Sequence, residues 1–225
     1  DVTVTYDVYD GIDTTSTSVV FTVTGTNDAP EVSAEVTGEA TEDGASVTIN
    51  ALDNATDVDN NTTLSVTNIQ AELPAGVTYD AATHSFTLDP SDEAYQSLAD
   101  GETTDVTVTY DVYDGIDTTS TSVVFTVTGT NDAPEVTGEV TGDATEDGDI
   151  ATISALDNAS DVEGETLSVI NVQAVLPAGV TYDEITQSFS LDPSDEAYQS
   201  LADGETTDVT VTYDVYDGID TTSTS

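Results

Sequence analysis

The sequence has no lysine and no arginine, against 46 aspartates and glutamates and one histidine, for a formal net charge of −46 over 225 residues. Apart from that one histidine, no side chain within the chain can pair with these carboxylates. Two unit charges about 4 Å apart repel by roughly 1 kcal/mol even in bulk water, and by more near a protein surface. A compact fold must therefore hold its carboxylates apart or neutralise them from outside, and a hard divalent cation is the natural counter-ion. With no basic group to contact phosphate, a nucleic-acid partner is excluded, and attraction to anionic membrane surfaces is excluded on the same ground. Cysteine is absent, so the fold has no disulfide and no thiol chemistry. Methionine and tryptophan are absent too. No apolar run approaches membrane-spanning length. No signal peptide is visible at Asp1, which opens in the middle of a strand pattern, so we expect the chain to be cut from something longer.

High charge with low hydrophobicity is the usual signature of disorder. Here the apolar fraction is 36% and is spread as short alternating runs. We read a chain near the boundary of disorder that becomes ordered when cations bind.

A repeat organises the sequence. DVTVTYDVYDGIDTTSTS occurs at residues 1–18, 105–122 and 208–225, at spacings of 104 and then 103 residues. TGTNDAPEV occurs at 24–32 and 128–136, and LDPSDEAYQSLADGETT at 88–104 and 191–207. The residue lost between copies falls in one loop, where Asp57–Leu64 (DVDNNTTL) becomes Asp161–Leu167 (DVEGETL). A loop absorbs such a deletion, whereas a strand would turn its side chains to the wrong face. This period is that of a small domain rather than of a solenoid. Asn-Asp-Ala-Pro marks the seam, because proline stops a ladder and favours an extended approach. The expected organisation is the C-terminal strands of a preceding repeat at 1–29, a complete repeat at 30–133, and a second repeat at 134–225 that lacks its last strand. The strands at both ends then want partners. One expectation is that residues 1–29 complete the open repeat of a neighbouring molecule, head to tail; the alternative is a plain boundary.

Alternation predicts seven strands in the complete copy: Glu31–Glu39, Ala45–Leu52, Thr63–Ala71, Gly76–Tyr79, His84–Leu88, Thr103–Tyr113 and Thr118–Gly129. The sixth shows it best, with Val106, Val108, Tyr110 and Val112 on one face and Thr107, Thr109 and Asp111 on the other. Ser91-Asp92-Glu93 reads as the cap of a single helical turn over Ala94–Leu98, with Tyr95 and Leu98 plugging the core. The fold class is all-β: tandem immunoglobulin-like β-sandwiches of about seven strands.

Strand alternation then places the acidic loops. Asp53–Asp59 and Asp111–Asp117 fall at one end of each sandwich, and Thr41–Gly44 and Asp100–Glu102 at the other. When copies stack, the second end of one faces the first end of the next across Asn-Asp-Ala-Pro, so carboxylates gather at the joint. All-oxygen donors suit Ca²⁺, which takes six to eight of them. Zn²⁺ would want histidine or cysteine, and only His84 exists; its slot in the next copy is Gln187, so a surface role is expected. The helical Ca²⁺-loop spacing is absent.

Glu42-Asp43-Gly44, Ala55–Asp59, Tyr95–Glu102, Tyr110–Gly115 and Thr130–Pro134, in this order over the whole repeat, resemble the cadherin-like and VCBS-type repeats of giant bacterial adhesins, including the repeats-in-toxin class. The resemblance implies several Ca²⁺ ions per joint. After the complete copy the implied ligands are Glu42, Asp100, Glu102, Asn131, Asp132, Asp161, Glu163 and Asp217. Before it they are Asn27, Asp28, Asp57, Asp59 and Asp114. Two departures stand out. The Leu-Asp-Arg-Glu motif is replaced by Leu98-Ala99-Asp100-Gly101-Glu102, and Glu163 stands where the first copy has Asp59.

The resemblance further implies an extracellular segment on a bacterial surface, exported unfolded by type I secretion, with neighbouring repeats of its own chain as partners and no membrane insertion. The expected role is a non-catalytic extender that carries a distal binding domain. The alternative is a module that itself contacts a glycan or a surface. The Thr-x-Thr runs are read as the polar faces of strands, and the glycosylation-like Asn54 and Asn158 as carrying no function. Paired carboxylates in ion loops, without tryptophan to form a sugar platform, give no support to glycosidase chemistry.

Overall fold

The computed structural model describes residues 1–225 and contains nineteen strands and no helix. The first two form a hairpin, β1 (Val2–Tyr9) and β2 (Thr14–Phe21), in register from Val2↔Phe21 to Tyr9↔Thr14. All its residues are exposed, the alternating apolar ones included.

Residues 30–128 form a closed sandwich. One sheet is ordered β4 (Val36–Thr41), β11 (Thr118–Thr128), β10 (Thr103–Tyr113), β7 (Ser65–Thr67). The other is β5 (Val47–Asn50), β9 (Ser85–Leu88), β8 (Val77–Asp80), and β3 (Glu31–Val32) pairs with β6 (Ala55–Thr56). β10 and β11 are joined over eleven residues, from Thr103↔Thr128 to Tyr113↔Thr118. β4 runs parallel to β11, from Val36↔Val123 to Thr128↔Thr41. The period-two pattern is realised as expected: Val106, Val108, Tyr110 and Val112 are buried, facing Val123, Phe125 and Val127 in one fifteen-residue core. Phe86 is fully buried, with ring centroids 4.8 Å from Tyr79 and 5.4 Å from Tyr110. The Tyr110 hydroxyl reaches across the core and donates to the Ala51 carbonyl at 2.7 Å, satisfying both groups.

Two expectations about local structure need correction. The first strand is two: the Ser33 N–H donates to the Asn54 carbonyl and Asn54 Nδ2 to the Glu35 carbonyl, both across to the β6 side, so the chain leaves β3 and joins the opposite sheet as β4. Asn54 is thus a structural clamp. Residues 91–98 form successive turns, not a helical turn: the Tyr95 N–H bonds the Asp92 carbonyl and the Leu98 N–H bonds the Tyr95 carbonyl. The capping carboxylates are Asp89, which accepts from the Ser91 N–H and Oγ, and Asp92, which accepts from the Ala94 N–H. The plug itself is as expected, with Tyr95 buried and Leu98 packed on the core.

Residues 134–225 repeat the plan with β12 (Glu135–Val136) on β14 (Ala159–Ser160), β13 (Ala151–Ser154), β17 (Ser188–Leu191) and β16 (Val180–Asp183) in one sheet, and β15 (Ser168–Ile170), β18 (Tyr213–Tyr216) and β19 (Thr221–Thr224) in another. The counterpart of β4 is missing: residues 140–145 form no strand. In the first sandwich β4 is held by Val123–Thr128, and no residue of the chain occupies that lane in the second. Its fully buried core accordingly shrinks to Ala155, Phe189, Tyr213 and Val215.

Phe86→Ala should therefore destabilise the first sandwich by about 3–5 kcal/mol, the cost of emptying a closed aromatic site. Denaturant titration of the variant checks the magnitude. Burial, then the nearby Asp53 carboxylate, pushes the Tyr110 phenol up to about 12 from 10.0. Its contribution to stability is present below pH 10 and is lost as pH rises through 12, which phenolate absorbance should follow.

Candidate metal centre

The seam brings three loops and a linker together. The linker leaves β11 at Gly129, where an added Cβ would collide with the Leu98 and Ala99 carbonyl oxygens; only glycine lets the chain pass so close. Gly129 also exchanges backbone hydrogen bonds with the Asp100–Glu102 loop: its N–H donates to the Glu102 carbonyl and its carbonyl accepts from the Gly101 N–H. The next residue, Thr130, donates its N–H to Glu42 Oε2 at 3.0 Å. Glu42 is only 2% exposed.

Across the seam, Asn131 Nδ2 donates to Asp217 Oδ2 and Asp220 Oδ2, both at 3.1 Å, and the Asp132 N–H donates to Glu163 Oε1 at 3.0 Å. Asp217 is held by its own loop, its Oδ1 accepting from the Ile219 N–H at 2.6 Å and the Asp220 N–H at 2.7 Å. Asp161 Oδ1 likewise accepts from the N–H groups of Glu163, Gly164 and Glu165. Carboxylate oxygens of Asp161, Glu163 and Glu165 lie within 4.8 Å of one another.

The earlier seam is built the same way. Asn27 Nδ2 donates to Asp114 Oδ2 and Asp117 Oδ2, each at 2.9 Å, and the Asp28 N–H donates to Asp59 Oδ2 at 2.9 Å. Asp59 takes its N–H to Asp57 Oδ1 at 2.8 Å.

The signature of a cation lies in the oxygens these bonds leave over. Eight buried side-chain polar atoms have no partner, and six of them are at the seams: Glu42 Oε1, Asn131 Oδ1, Asp161 Oδ2, Glu163 Oε2, Glu165 Oε2 and Asp57 Oδ2. Buried polar groups are ordinarily satisfied, and a protein without lysine or arginine has no charged donor to supply. All six are hard oxygens, carboxylate or amide, which fits Ca²⁺ and not a nitrogen- or sulfur-seeking metal. Glu42, Asn131, Asp132, Asp161, Glu163, Glu165 and Asp217 are the residues that would hold such ions; an ion there would cancel charge and bridge the two sandwiches.

The electrostatics agree. Burial, with Asp132 and Asp43 adding repulsion against a hydrogen bond from the Thr130 N–H, raises the Glu42 carboxyl. Burial, then Asp43 and Asp161, raises Asp132, and burial above all raises Glu163. The adjacent Asp161 carboxylate, then burial, raises Glu165. Asp161 and Asp217 also feel burial, but hydrogen bonds outweigh it and lower both, from Glu165 and neighbouring N–H groups for Asp161 and from the Ile219 N–H and Asn131 for Asp217.

Of the residues named from sequence, the structure joins Glu42, Asn131, Asp132, Asp161, Glu163 and Asp217 at one seam, and Asn27, Asp28, Asp57, Asp59 and Asp114 at the other. It does not bring in Asp100, which is exposed without a side-chain hydrogen bond, or Glu102, whose Oε2 turns back to cap the Ala99 N–H at 3.2 Å. Glu165, Asp117 and Asp220 were missed. Asp117 and Asp220 had a signal, since each closes the Asp-Gly-Ile-Asp turn. Glu165 lies beside the one-residue deletion and has no carboxylate counterpart in Asn60-Asn61-Thr62. His84 serves the fold, its Nδ1 3.3 Å from the Tyr79 hydroxyl.

The two-sheet sandwich with an acidic seam defines a class of end-to-end β-domain. The family model for the cadherin-like domain matches residues 26–128 and 130–225, and the chain belongs to that family. No curated protein matches it. Among solved structures it is similar to the extracellular cadherin domains 1–4 of protocadherin gamma B7 (18% identity, 94% of this chain and 51% of that one, TM-score 0.53). It is also similar to the human desmocollin-1 ectodomain (15%, 95% and 39%, 0.42) and to an endo-fucoidan hydrolase of glycoside hydrolase family 107 (16%, 99% and 33%, 0.37). The chain spans about a third of the length of the first structures it matches.

In chelator, the raised groups Glu42, Asp132 and Glu163 give their stability at low pH and lose it as pH rises through their folded values. Melting temperature should therefore rise as pH falls from neutral through the raised range of these groups. It should turn over below 3.8, where the lowered Asp161 and Asp217 begin to protonate. Saturating Ca²⁺ should reverse the upper limb, since acid then competes with the metal. Calorimetry at matched ionic strength reads both slopes.

Proposed function

We propose that the chain is a non-catalytic extender segment of a bacterial surface adhesin, made rigid by Ca²⁺ at its joints and holding a distal binding domain away from the cell. The observation that carries this reading is the set of buried, unpartnered oxygens at the seams, Glu42 Oε1 and Asp161 Oδ2 foremost. They come from both sides of a short linker, so a shared ion both neutralises and aligns the modules. The cadherin-like fold, typically non-catalytic, and the similarity to ectodomain structures support an extracellular adhesive setting. The near-identity of successive copies supports a spacer, because a dedicated binding domain is usually a unique insert. The VCBS and repeats-in-toxin resemblance supports export by type I secretion. The charge supplies a physical reason for that route: low cytosolic Ca²⁺ leaves the carboxylates uncompensated and the fold weakened, and external Ca²⁺ stabilises it. A ten-residue strand spans about 33 Å, so each module adds a few tens of ångströms to the reach.

Extracellular modules bind Ca²⁺ at about 10⁻⁴–10⁻³ M, and a ligand at 100 times its Kd stabilises by about 2.7 kcal/mol per site. Ca²⁺ should therefore raise the melting temperature by several degrees and lengthen the small-angle scattering profile. Glu42→Gln keeps the bond from the Thr130 N–H while removing one charge. It should raise the melting temperature in chelator and blunt the response to Ca²⁺. A scattering profile identical with and without chelator would refute the extender reading.

A further inference from the structure

The two loops that enter the seams differ by one residue in length, and the difference falls on their acidic side chains. In the first, Asp57–Leu64 (DVDNNTTL), Asp57 Oδ1 accepts from the Asp59 N–H alone, at 2.8 Å. In the second, Asp161–Leu167 (DVEGETL), the backbone curls round Asp161, whose Oδ1 accepts from the N–H groups of Glu163 and Gly164 at 3.1 Å and of Glu165 at 3.3 Å. Gly164, at a φ of 83°, supplies the left-handed residue in that curl. Residues 161, 163 and 165 are thereby held with carboxylate oxygens within 4.8 Å of one another. The first loop has Asn61 in the place of Glu165 and forms no such trio.

A second element converges on the trio from the other sandwich. Glu42 is almost wholly buried, and its Oε1 has no partner. The linker ties it to the loop: the Thr130 N–H bonds Glu42 Oε2 and, two residues on, the Asp132 N–H bonds Glu163 Oε1. The Asp132 carboxylate stands between them, repelling Glu42 and feeling Asp161 in turn. Buried oxygens without partners are therefore supplied to the joint from both sides: Glu42 Oε1 from one, and Asp161 Oδ2, Glu163 Oε2 and Glu165 Oε2 from the other.

We propose that the entering loop sets the Ca²⁺ affinity of its joint, so that the chain carries two classes of joint, the DVEGETL class closing at lower Ca²⁺ than the DVDNNTTL class. This rests on the Ca²⁺ reading above and adds how the response is graded. The number of charged ligands and the rigidity of the site tune Ca²⁺ affinity, and a loop already curled has less freedom to lose on binding. Glu165 gives the second loop a third carboxylate, where Asn61 offers a neutral amide oxygen. The three N–H groups on Asp161 Oδ1 hold that loop in its curl before any ion arrives. An array that mixes the two loops then stiffens in steps as Ca²⁺ rises, rather than all at once.

Calorimetric titration of the full chain with CaCl₂, after removal of metal by EGTA and dialysis, tests this. Glu165→Asn gives the second loop the residue of the first, and a loop exchange writes DVDNNTTL in place of residues 161–167. Both should weaken the tightest class of Ca²⁺ sites by at least about tenfold. Glu184→Gln removes one charge from an exposed position outside the joint and should leave that class unchanged. The melting temperature in EGTA shows that each variant is folded. Ca²⁺ heats in Glu165→Asn and the loop exchange that match those of the parent chain overturn the grading by loop and leave the Ca²⁺ reading standing. An equal loss of affinity in Glu184→Gln also overturns it, since net charge alone then sets the affinity. Absence of any Ca²⁺ heat from the parent chain overturns both.

Discussion

Repulsion between carboxylates that nothing in the chain can neutralise is the constraint on which this structure depends. The sandwiches tolerate it by sending most acidic side chains to solvent, where water screens them over a Debye length of about 8 Å at physiological salt. The seams cannot. The linker is pinned by Gly129 and the backbone bonds around it, so Glu42, Asp132, Asp161 and Glu163 meet in a partly buried space. Backbone N–H groups satisfy one oxygen of most of these carboxylates and leave the other bare. That division of labour fixes the geometry of a site whose charge must come from elsewhere.

Much of this was legible in the sequence, because strand and loop positions follow from short-range rules. The alternation of Val106–Val112 located the central strand to the residue, and the Asn-Asp-Ala-Pro seam placed the loops that meet there. What failed to show has physical reasons. The turns at 91–98 are fixed by Asp89 and Asp92 carboxylates competing for local N–H groups, which a helix cap resembles in composition. Asp100 and Glu102 sit in a turn that departs from the family motif by one residue, and Glu102 finds a donor in that same turn. Glu165 became visible only in three dimensions, where the contracted loop carries it beside Asp161 and Glu163.

One sequence in two settings separates local from tertiary effects. Val19–Thr24 and Val123–Thr128 are the same six residues, and each follows the same eighteen. In both, the hairpin forms with the same register. Only the second is buried, because only there do β4 and the opposite sheet cover it. Pairing is therefore encoded in the strands themselves, and solvent exclusion is supplied by the module around them.

The parallel pairing of β4 with β11 has a consequence for load. A pull along the chain passes the two-residue β3, then loads the start of β4 and the end of β11, drawing these two strands in opposite directions along their length. The bonds of that six-residue ladder then resist together in shear, rather than parting singly as they would in an unzipped hairpin. Resistance to forced unfolding is a matter of rate, so a module modest in equilibrium stability can still hold under tension.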